Sequence, residues 1–324
     1  MKIGVILLNM GGPDSLEAVR PFLFNLFSDR KIIQLGPPFL QKPIAWFIAR
    51  KRAPKSAACY QKIGGRSPLL EITTRQARAL EEELSRSVTG TSFLCVPGMR
   101  YFSPRTPDQL EMLIRQGCKR FVALSMYPHY SMATSGTSLE DFKAAAKRLG
   151  IKDYVTVESY PDHPLYIKAL EEVLRSAVGG LHDRNGFSLI YSAHSLPKKM
   201  VEQGDPYVKH VERTINALER NIGIKGRLCF QSRSGPVKWL EPQTDETLID
   251  MAERGVKEIV CLPISFVSDH IETLYEIDML YGDMMKERGV RLIRTPALND
   301  SPYFIGCLKD LVLKRLGIKA SKGV

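Results

Sequence analysis

The apolar positions of this chain form short, nearly continuous runs, and segments with helical spacing lie between them. The runs predict strands at 3–9, 91–96, 120–126, 154–159, 187–192, 227–231, 258–265 and 291–294. Helical patterns predict helices between them, for example at 67–87, 107–116, 205–222 and 244–254. Strands of this kind, alternating with helices, are typical of parallel β-α-β units that are buried on both faces. The sequence therefore predicts an α/β fold.

The two halves of the pattern resemble each other. The segment KRFVAL at 119–124 parallels KEIVCL at 257–262, and each continues into a polar loop that contains proline. We predict two similar domains, each with a four-stranded parallel sheet, at 1–160 and 161–300, with a cleft between their strand ends. A final helix within 301–324 is expected to pack back on the first domain. Chance similarity between α/β units is the alternative explanation.

One segment, about 19–50, departs from this pattern because it is rich in phenylalanine around the basic pair Arg30 and Lys31. We call it the lip. One interpretation is an apolar surface that grips a flat hydrophobic ligand or contacts a membrane. The other is two ordinary core helices.

Composition narrows the classes of protein. With 324 residues, 44% hydrophobic and 25% charged, the chain is an ordinary globular protein. No apolar run is long enough to span a membrane, and the N-terminus is expected to be a first strand and not a signal peptide. The net charge of +11 favours an anionic ligand or an anionic membrane surface. No nucleic-acid-binding motif is present, so we expect no nucleic-acid partner.

The six cysteines form no CxxC pair, and Cys95, Cys229 and Cys261 lie inside apolar strands. Cysteine in such positions behaves as a small hydrophobic residue. The pattern predicts a reducing compartment, the cytoplasm, and no site of clustered thiolates.

Acidic residues follow the predicted strand at 258–265. Glu272 and Glu276 are four positions apart, so a helix would place them on one face, with Asp269 one turn earlier and His270 beside it. Open α/β sheets bind ligands just past the carboxyl ends of their strands. A solvated acidic face is the alternative.

His194 lies just past the carboxyl edge of another predicted strand, in the segment YSAHSLP. A neutral imidazole with an ordinary pKa of about 6.5 can accept a proton or bind a transition metal. A lone histidine is more often structural. Here, however, the same domain places His270 and Glu272 after a second strand, so two strand ends are expected to meet at one site.

Four stretches together resemble the ferrochelatases, the enzymes that insert ferrous iron into protoporphyrin to make haem. They are LNMGGP at 8–13, YSAHSLP at 191–197, QSRSGPVKWLEPQTDE at 231–246 and FVSDHIETLYEID at 266–278. The resemblance runs nearly end to end. It implies two Rossmann-like, chelatase-type domains and an enzyme, a lyase of haem biosynthesis.

The resemblance also implies roles for individual residues. His194 and Glu272 match the iron-site residues, with His194 taking pyrrole protons. Asp269, His270 and Glu276 would form a path for protons or metal. The residues that match porphyrin-contacting positions are Met10, Arg52, Tyr60, Ser67, Arg100, Tyr130 and Trp239.

Several expectations about partners follow from the same resemblance. Gram-positive relatives have tyrosine where this chain has Met10, so the chain resembles the protoporphyrin-using type. Iron is expected as a substrate, with no permanently bound cofactor and no iron–sulfur cluster, because the tail is not rich in cysteine. We expect a cytoplasmic protein, with peripheral contact to the inner face of the membrane through the lip left open. The oligomeric state is also open. A coproporphyrin ferrochelatase, another tetrapyrrole metal chelatase and a non-catalytic haem carrier are the alternatives.

Overall fold

A computed structural model describes residues 1–181, 186–235 and 237–320. The chain divides into two compact units. The first is Met1–Ser159 together with the C-terminal segment from Ile305, and the second is Tyr160–Phe304. The predicted boundary at residue 160 lies at this division.

The first unit is built on a four-stranded sheet. Its strands are β1 (Lys2–Asn9), β2 (Ser92–Met99), β3 (Arg120–Ser125) and β4 (Tyr154–Val157). They are parallel and lie in the order β2-β1-β3-β4. The inner strand β1 is buried along almost its whole length, which explains its unbroken apolar run.

Helices flank this sheet. They are α1 (Val19–Ser28), α2 (Gln41–Lys62), α3 (Leu69–Ser87), α4 (Thr106–Arg115) and α5 (Thr137–Arg148). The helices α4 and α5 pack on one face of the sheet, around Leu110, Leu113 and Phe142. A short π-helix, π1 (Met132–Gly136), leads directly into α5.

The second unit repeats the same topology. Its strands are β5 (Phe187–His194), β6 (Gly226–Gln231), β7 (Glu258–Pro263) and β8 (Arg291–Arg294). They are parallel and lie in the order β6-β5-β7-β8, so each takes the place of the strand four earlier. The prediction of two four-stranded parallel sheets flanked by helices is confirmed.

The helices of the second unit include one of unusual type. The α-helices are α6 (Pro164–Gly179), α7 (Lys198–Glu202), α8 (Tyr207–Ile222), α9 (Thr244–Glu253), α10 (Gly282–Lys286) and α11 (Pro302–Leu316). From Ile305, α11 belongs to the first unit. Between β7 and α10 lies a ten-residue π-helix, π2 (Glu272–Tyr281), where the sequence predicts an ordinary helix. In each unit a π-helix therefore follows the third strand in chain order.

The lip consists of α1, a 3₁₀ turn at Pro38–Leu40 and the first part of α2. Phe22 and Phe27 of α1 are buried, as in an ordinary core helix. By contrast, Phe39 and Phe47 are 77% and 63% exposed. The core-helix interpretation therefore fits α1, while the turn and α2 present exposed apolar side chains. In the described ranges no helix combines the length and the apolar character that a membrane span requires.

Close packing between β1 and β2 gives a stability prediction. A Cβ added at the buried Gly98 would clash with Cγ2 of Ile6. We expect Gly98→Ala to destabilise the protein by about 1–3 kcal/mol, because the sheet must shift to accept the methyl group. The midpoint of guanidinium unfolding measures this change.

Gly179→Ala is the matched control, because a Cβ at this exposed helical position meets no atom within 4 Å. We expect it to leave the midpoint unchanged or to raise it slightly, since alanine favours the helix. An unchanged midpoint in Gly98→Ala would contradict the packing argument.

Candidate active site

The two strand-end residues predicted to meet do so in the second unit. His194 is the last residue of the inner strand β5, and Glu272 is the first residue of π2, after the neighbouring strand β7. Nδ1 of His194 lies 2.7 Å from Oε2 of Glu272. Parallel neighbouring strands end at the same edge of a sheet, which is why residues 78 positions apart come into contact.

The backbone on both sides of His194 is held in place. Its N–H donates to the hydroxyl of Ser265 at 2.9 Å, and its carbonyl accepts from the hydroxyl of Tyr207 at 3.0 Å. These bonds come from the loop after β7 and from the first turn of α8. The imidazole therefore starts from a fixed backbone position.

The pair shifts the pKa of each partner. Burial tends to lower the pKa of His194, but the charge of Glu272 and its hydrogen bond outweigh burial and raise it. Burial tends to raise the pKa of Glu272, but His194 above all holds that pKa well below its ordinary value. The sequence alone predicts an ordinary pKa for His194, because it does not reveal the contact with a carboxylate.

This geometry also selects a tautomer. With its proton on Nδ1, a neutral His194 donates to Glu272 and leaves the lone pair of Nε2 to accept a proton from another group. The imidazolium that then forms is stabilised by the carboxylate. The pair has the logic of a base and the acidic residue that orients it.

A second carboxylate lies beside the pair. Glu276 accepts hydrogen bonds from the side chain of Gln231 at 3.1 Å, the backbone N–H of Ser232 at 2.9 Å and the hydroxyl of Tyr281 at 2.9 Å. The hydroxyl of Ser232 also bonds both glutamates, with Glu272 at 3.1 Å. The predicted acidic row of Glu272 and Glu276 is therefore present as a hydrogen-bonded group.

The two glutamates have opposite pKa shifts. Burial and the nearby charge of Glu272 raise the pKa of Glu276, although its hydrogen bonds oppose this. The pKa of Glu272 is thus held below the ordinary value for a glutamate, and the pKa of Glu276 is held above it. Groups whose surroundings separate their pKa values in this way are suited to different steps of a proton transfer.

The π-helical register aligns this group. Glu272 and Tyr281 are nine positions apart, and both act on the same side, since Tyr281 bonds Glu276. Nine residues make about two and a half turns of α-helix but about two turns of π-helix. In an α-helix Tyr281 would point away from the side that holds Glu272.

His270 and Asp269, the other residues predicted for the proton or metal path, lie in different environments. Nε2 of His270 lies 4.0 Å from Oε2 of Glu272, and its Nδ1 contacts the carbonyl of Ser268 at 3.1 Å. Burial lowers the pKa of His270, which favours a neutral ring. Asp269, by contrast, accepts hydrogen bonds from Arg294 and Asn299, at 2.9 Å each. It belongs to a different set of contacts from the two glutamates.

Sequence reasoning missed Ser232, Gln231 and Tyr281 as parts of the site. Ser232 directly follows β6 and has φ +68°, a left-handed conformation that is uncommon outside glycine. Such backbone conformations concentrate at functional sites. The signal available in the sequence was the long polar loop after that strand.

In the first unit the turn after β1 packs against Ser67, which was also predicted to contact porphyrin. Met10 begins the turn, and its carbonyl accepts from the N–H of Tyr101 at 2.9 Å. Gly11 has φ +84°, and a Cβ on Gly12 would lie 2.5 Å from the hydroxyl oxygen of Ser67. The glycines are needed here because the backbone bends sharply and passes against Ser67.

Arg100 is held by acidic and hydroxyl groups of its own unit. Its guanidinium donates to Asp29 at 2.8 Å and to Thr137 at 2.7 Å, and lies 3.4 Å from Asp141. An added anion at Arg100 would therefore have to compete with two carboxylates.

Arg52, Tyr60 and Tyr130 are the other residues of the first unit that were predicted to contact porphyrin. The guanidinium of Arg52 lies over the ring of Phe27, Tyr60 is buried near the end of α2, and Tyr130 packs against the core formed by α4 and α5.

Trp239 lines a cavity of about 420 Å³ in the second unit. Three basic side chains, Lys198, Arg233 and Lys238, line the same cavity. Glu241 lines it as well and lies 3.5 Å from Lys198, while Arg233 pairs with two acidic residues outside the cavity lining. Pro236, in the middle of this predicted motif, lies outside the described residues.

The pair contains two groups of the types that bind metal ions. His194 and Glu272 offer one nitrogen and one oxygen ligand, a set that suits first-row divalent ions. Within residues 1–181, 186–235 and 237–320, no group of three or more His, Cys, Asp or Glu is arranged to hold a metal ion. None of the cysteines in these ranges forms a disulfide, and Cys59 is the one that is not buried.

Comparison with known proteins gives a consistent family. The ferrochelatase family model matches residues 2–316. The chain is 51% identical over 312 residues to a ferrochelatase of Desulfotalea psychrophila, covering 96% of each protein. It is 49% identical to one of Geotalea daltonii, over 96% of this chain and 97% of that protein. It is 44% identical to one of Aquifex aeolicus, over 96% of this chain and 99% of that protein.

Solved structures with a similar fold are distant in sequence. SirB from Bacillus subtilis, determined with Fe3+, aligns with a TM-score of 0.57 at 10% identity, over 97% of this chain and 96% of SirB. A sirohydrochlorin chelatase SirB from Bacillus subtilis subspecies spizizenii, in complex with cobalt, aligns with a TM-score of 0.50 at 13% identity, over 98% of this chain and 94% of that one. These two matches support the two-sheet chelatase fold.

The electrostatics of the pair can be measured without any ligand. In Glu272→Gln we expect the pKa of His194 to fall relative to the wild type. Burial, the largest influence, then acts without the charge and charged hydrogen bond of Glu272, and only the charge of Glu276 still opposes it. An NMR titration of the imidazole signals measures this pKa.

Asp162→Asn serves as the control, because Asp162 forms an exposed ion pair with Arg213 elsewhere in the same unit. It should leave the His194 titration unchanged. A His194 pKa that stays raised in Glu272→Gln would show that Glu272 is not the cause.

Proposed function

The chain belongs to the ferrochelatase family, and we propose that His194 and Glu272 are the residues at which it inserts Fe(II) into protoporphyrin IX. Ferrochelatases are lyases that catalyse the terminal step of haem biosynthesis, in which a porphyrin takes up ferrous iron and loses two protons. The observation that carries the proposal is the 2.7 Å contact between an imidazole and a carboxylate at two adjacent strand ends.

Removal of the pyrrole protons is the step that needs a base. Neutral His194, with Nδ1–H donating to Glu272, accepts a pyrrole proton at Nε2. Glu272 stabilises the imidazolium ion, so the proton transfer does not leave an isolated charge in a partly buried site. The base must lose this proton before it can accept the second one.

Glu276 gives that proton an exit. The hydroxyl of Ser232 bonds both Glu272 and Glu276, and Glu276 has the raised pKa of the two carboxylates. A proton leaving the His194–Glu272 pair can therefore pass to Glu276 and from there to solvent. We place His194, Glu272 and Glu276 on this path, with His270 as a neutral neighbour.

The same donors suit the arriving metal. Ferrous iron must lose its water ligands in steps, and nitrogen and oxygen ligands bind it without the strength of a thiolate site. Iron is a substrate here and leaves in the product.

Porphyrin binding is assigned by the family resemblance to Met10, Arg52, Tyr60, Ser67, Arg100, Tyr130 and Trp239. For Trp239 the support is a cavity that Lys238 also lines, since a lysine ammonium is suited to a propionate. The other two cations of this cavity already have acidic partners: Lys198 pairs with Glu241, and Arg233 pairs with Asp245 and Glu246. Arg100 has the weakest support, because Asp29 and Asp141 already neutralise it.

Two other functions use the same site. A chelatase acting on coproporphyrin or with another divalent metal would have the same pair, and initial rates on the two porphyrins distinguish it. A haem carrier would bind haem stoichiometrically and would show no metal-dependent loss of free-porphyrin fluorescence. The second carboxylate, Glu276, favours an enzyme, because a carrier does not need to remove protons.

The role of His194 is tested by anaerobic incubation with Fe(II) and protoporphyrin, following the loss of porphyrin fluorescence. In His194→Ala we expect turnover to fall by at least about 10²-fold, the usual contribution of a general base. Porphyrin binding, measured by fluorescence without iron, should persist.

His210→Ala is the matched control, since His210 lies on α8 and is not part of the pair. It should retain wild-type turnover. Turnover at the wild-type rate in His194→Ala would refute the assigned role.

We also propose that the lip contacts the inner face of the membrane in the cytoplasm, where this chain would be a peripheral protein. Phe39 and Phe47 are 77% and 63% exposed. Large apolar side chains that are exposed close together in one segment are typical of an interaction surface. Between Phe39 and Phe47 lies Trp46, with the guanidinium groups of Arg20 and Arg50 within 5.6 Å of its ring centre. Apolar rings beside basic groups suit the boundary between anionic headgroups and acyl chains.

The double variant Phe39→Ser/Phe47→Ser tests this contact by flotation with phosphatidylcholine vesicles that contain phosphatidylserine. We expect its partitioning to fall by at least about tenfold, because two apolar side chains no longer enter the bilayer.

Ile114→Ser is the control, because Ile114 is an exposed apolar residue on α4, outside the lip. It should partition like the wild type. Equal partitioning of all three proteins would exclude the lip as a membrane contact.

A further inference from the structure

Arg294, the last residue of β8, forms a partly buried ion-pair cluster beside π2. Its side chain is 11% exposed. Nη1 donates to Asp269 at 2.9 Å, while Nε and Nη2 donate to the two oxygens of Asp278 at 2.7 and 2.8 Å. One guanidinium thus binds two carboxylates, one of them with two parallel hydrogen bonds.

The cluster brackets the acidic row. Asp269 precedes Glu272 by three positions, and Asp278 follows Glu276 by two. In the described part of the chain Arg294 donates to Asp269, to Asp278 and to the carbonyl of Thr295, and not to either glutamate. Any influence of Arg294 on the glutamates therefore passes through the helix.

The start of the helix is attached to the same cluster. The side chain of Asn299 donates to Asp269 at 2.9 Å, and the N–H of Asp269 donates back to Asn299 at 3.0 Å. The hydroxyl of Thr273, in the first turn of π2, donates to Asp269 at 3.1 Å. Asp269 is thereby fixed to the loop after β8 and to the first turn of the helix.

The type of helix determines whether Glu272 and Asp278 can both reach their partners at the same time. Glu272 and Asp278 are six positions apart, which is about 1.7 turns of α-helix but about 1.4 turns of π-helix. The difference is about a third of a turn. If Glu272 is placed on His194, Asp278 reaches Arg294 in the π register and points elsewhere in the α register.

A π-helix needs such support, because it is rare beyond a single turn. This one also brings Glu272 and Glu276 together through Ser232. We propose that Arg294 is a positioning residue that holds residues 272–281 in the π register and so keeps Glu272 on His194. As a role in catalysis this rests on the proposed function; as a role in the register it does not.

The test compares Arg294→Met and Arg294→Lys with the wild type in two measurements. One is kcat and KM for iron insertion, and the other is backbone amide hydrogen exchange of residues 268–286 in the protein without substrate. For Arg294→Met we expect kcat to fall by at least about tenfold, because even a small displacement of a reacting group lowers the rate strongly. KM for porphyrin should change little, and exchange should become faster in this segment.

Arg294→Lys should give values of kcat and of amide exchange between those of the wild type and Arg294→Met. A lysine ammonium is a compact point charge, so it lacks the planar fork with which the guanidinium binds both oxygens of Asp278 while it also reaches Asp269. Arg291→Met is the matched control. Arg291 is the first residue of the same strand and pairs with Glu258 at 3.0 Å, away from π2. It should leave kcat and the exchange of residues 268–286 unchanged.

Wild-type kcat together with wild-type exchange in Arg294→Met would overturn the proposal. If Arg294→Met does not fold, Asp278→Asn weakens only one side of the cluster and should give the same two changes. If the wild-type protein itself shows no iron insertion, the proposed function fails, while the exchange comparison still decides the role of Arg294 in the register.

Discussion

The site depends on one hydrogen bond, the contact between the imidazole of His194 and the carboxylate of Glu272. It joins two strand ends that are far apart in sequence, and it gives the two groups opposite pKa shifts. The sheet supplies the geometry: β5 and β7 are neighbours, and parallel strands deliver their last residues to one edge. Chemistry follows, because an imidazole oriented by a carboxylate has one nitrogen free and a stable charged form.

The surrounding groups determine what the pair can do with a proton. Glu276 alone would be one more partly buried carboxylate, but four hydrogen bonds from Gln231, Ser232 and Tyr281 hold it close to Glu272. Burial and repulsion by the Glu272 carboxylate raise the pKa of Glu276. The π-helix makes this arrangement possible, because its wider turn places residues nine positions apart on one side.

Much of this could be predicted from the sequence, and the rest could not, for physical reasons. Unbroken apolar runs predicted the strands, because a strand that is buried on both faces is apolar at successive positions and does not alternate with polar residues. The residues after β5 and β7 marked the site, since open sheets bind ligands at that edge. The register of π2 was not visible, because a spacing of four fits both helix types; what distinguishes them is the partner of Asp278 on another strand. Ser232 escaped notice for a similar reason, since its role comes from a backbone angle and from two distant glutamates.

The repeated strand order has a consequence for how the two halves can diverge. In both units a π-helix follows the third strand, yet Met132–Gly136 contains no titratable side chain, whereas Glu272–Tyr281 contains three carboxylates. The π-helix of the second unit therefore carries carboxylates that can exchange protons, whereas the π-helix of the first unit carries none. In a duplicated scaffold of this kind the loops of the first unit can change in sequence without disturbing the titratable groups of the second.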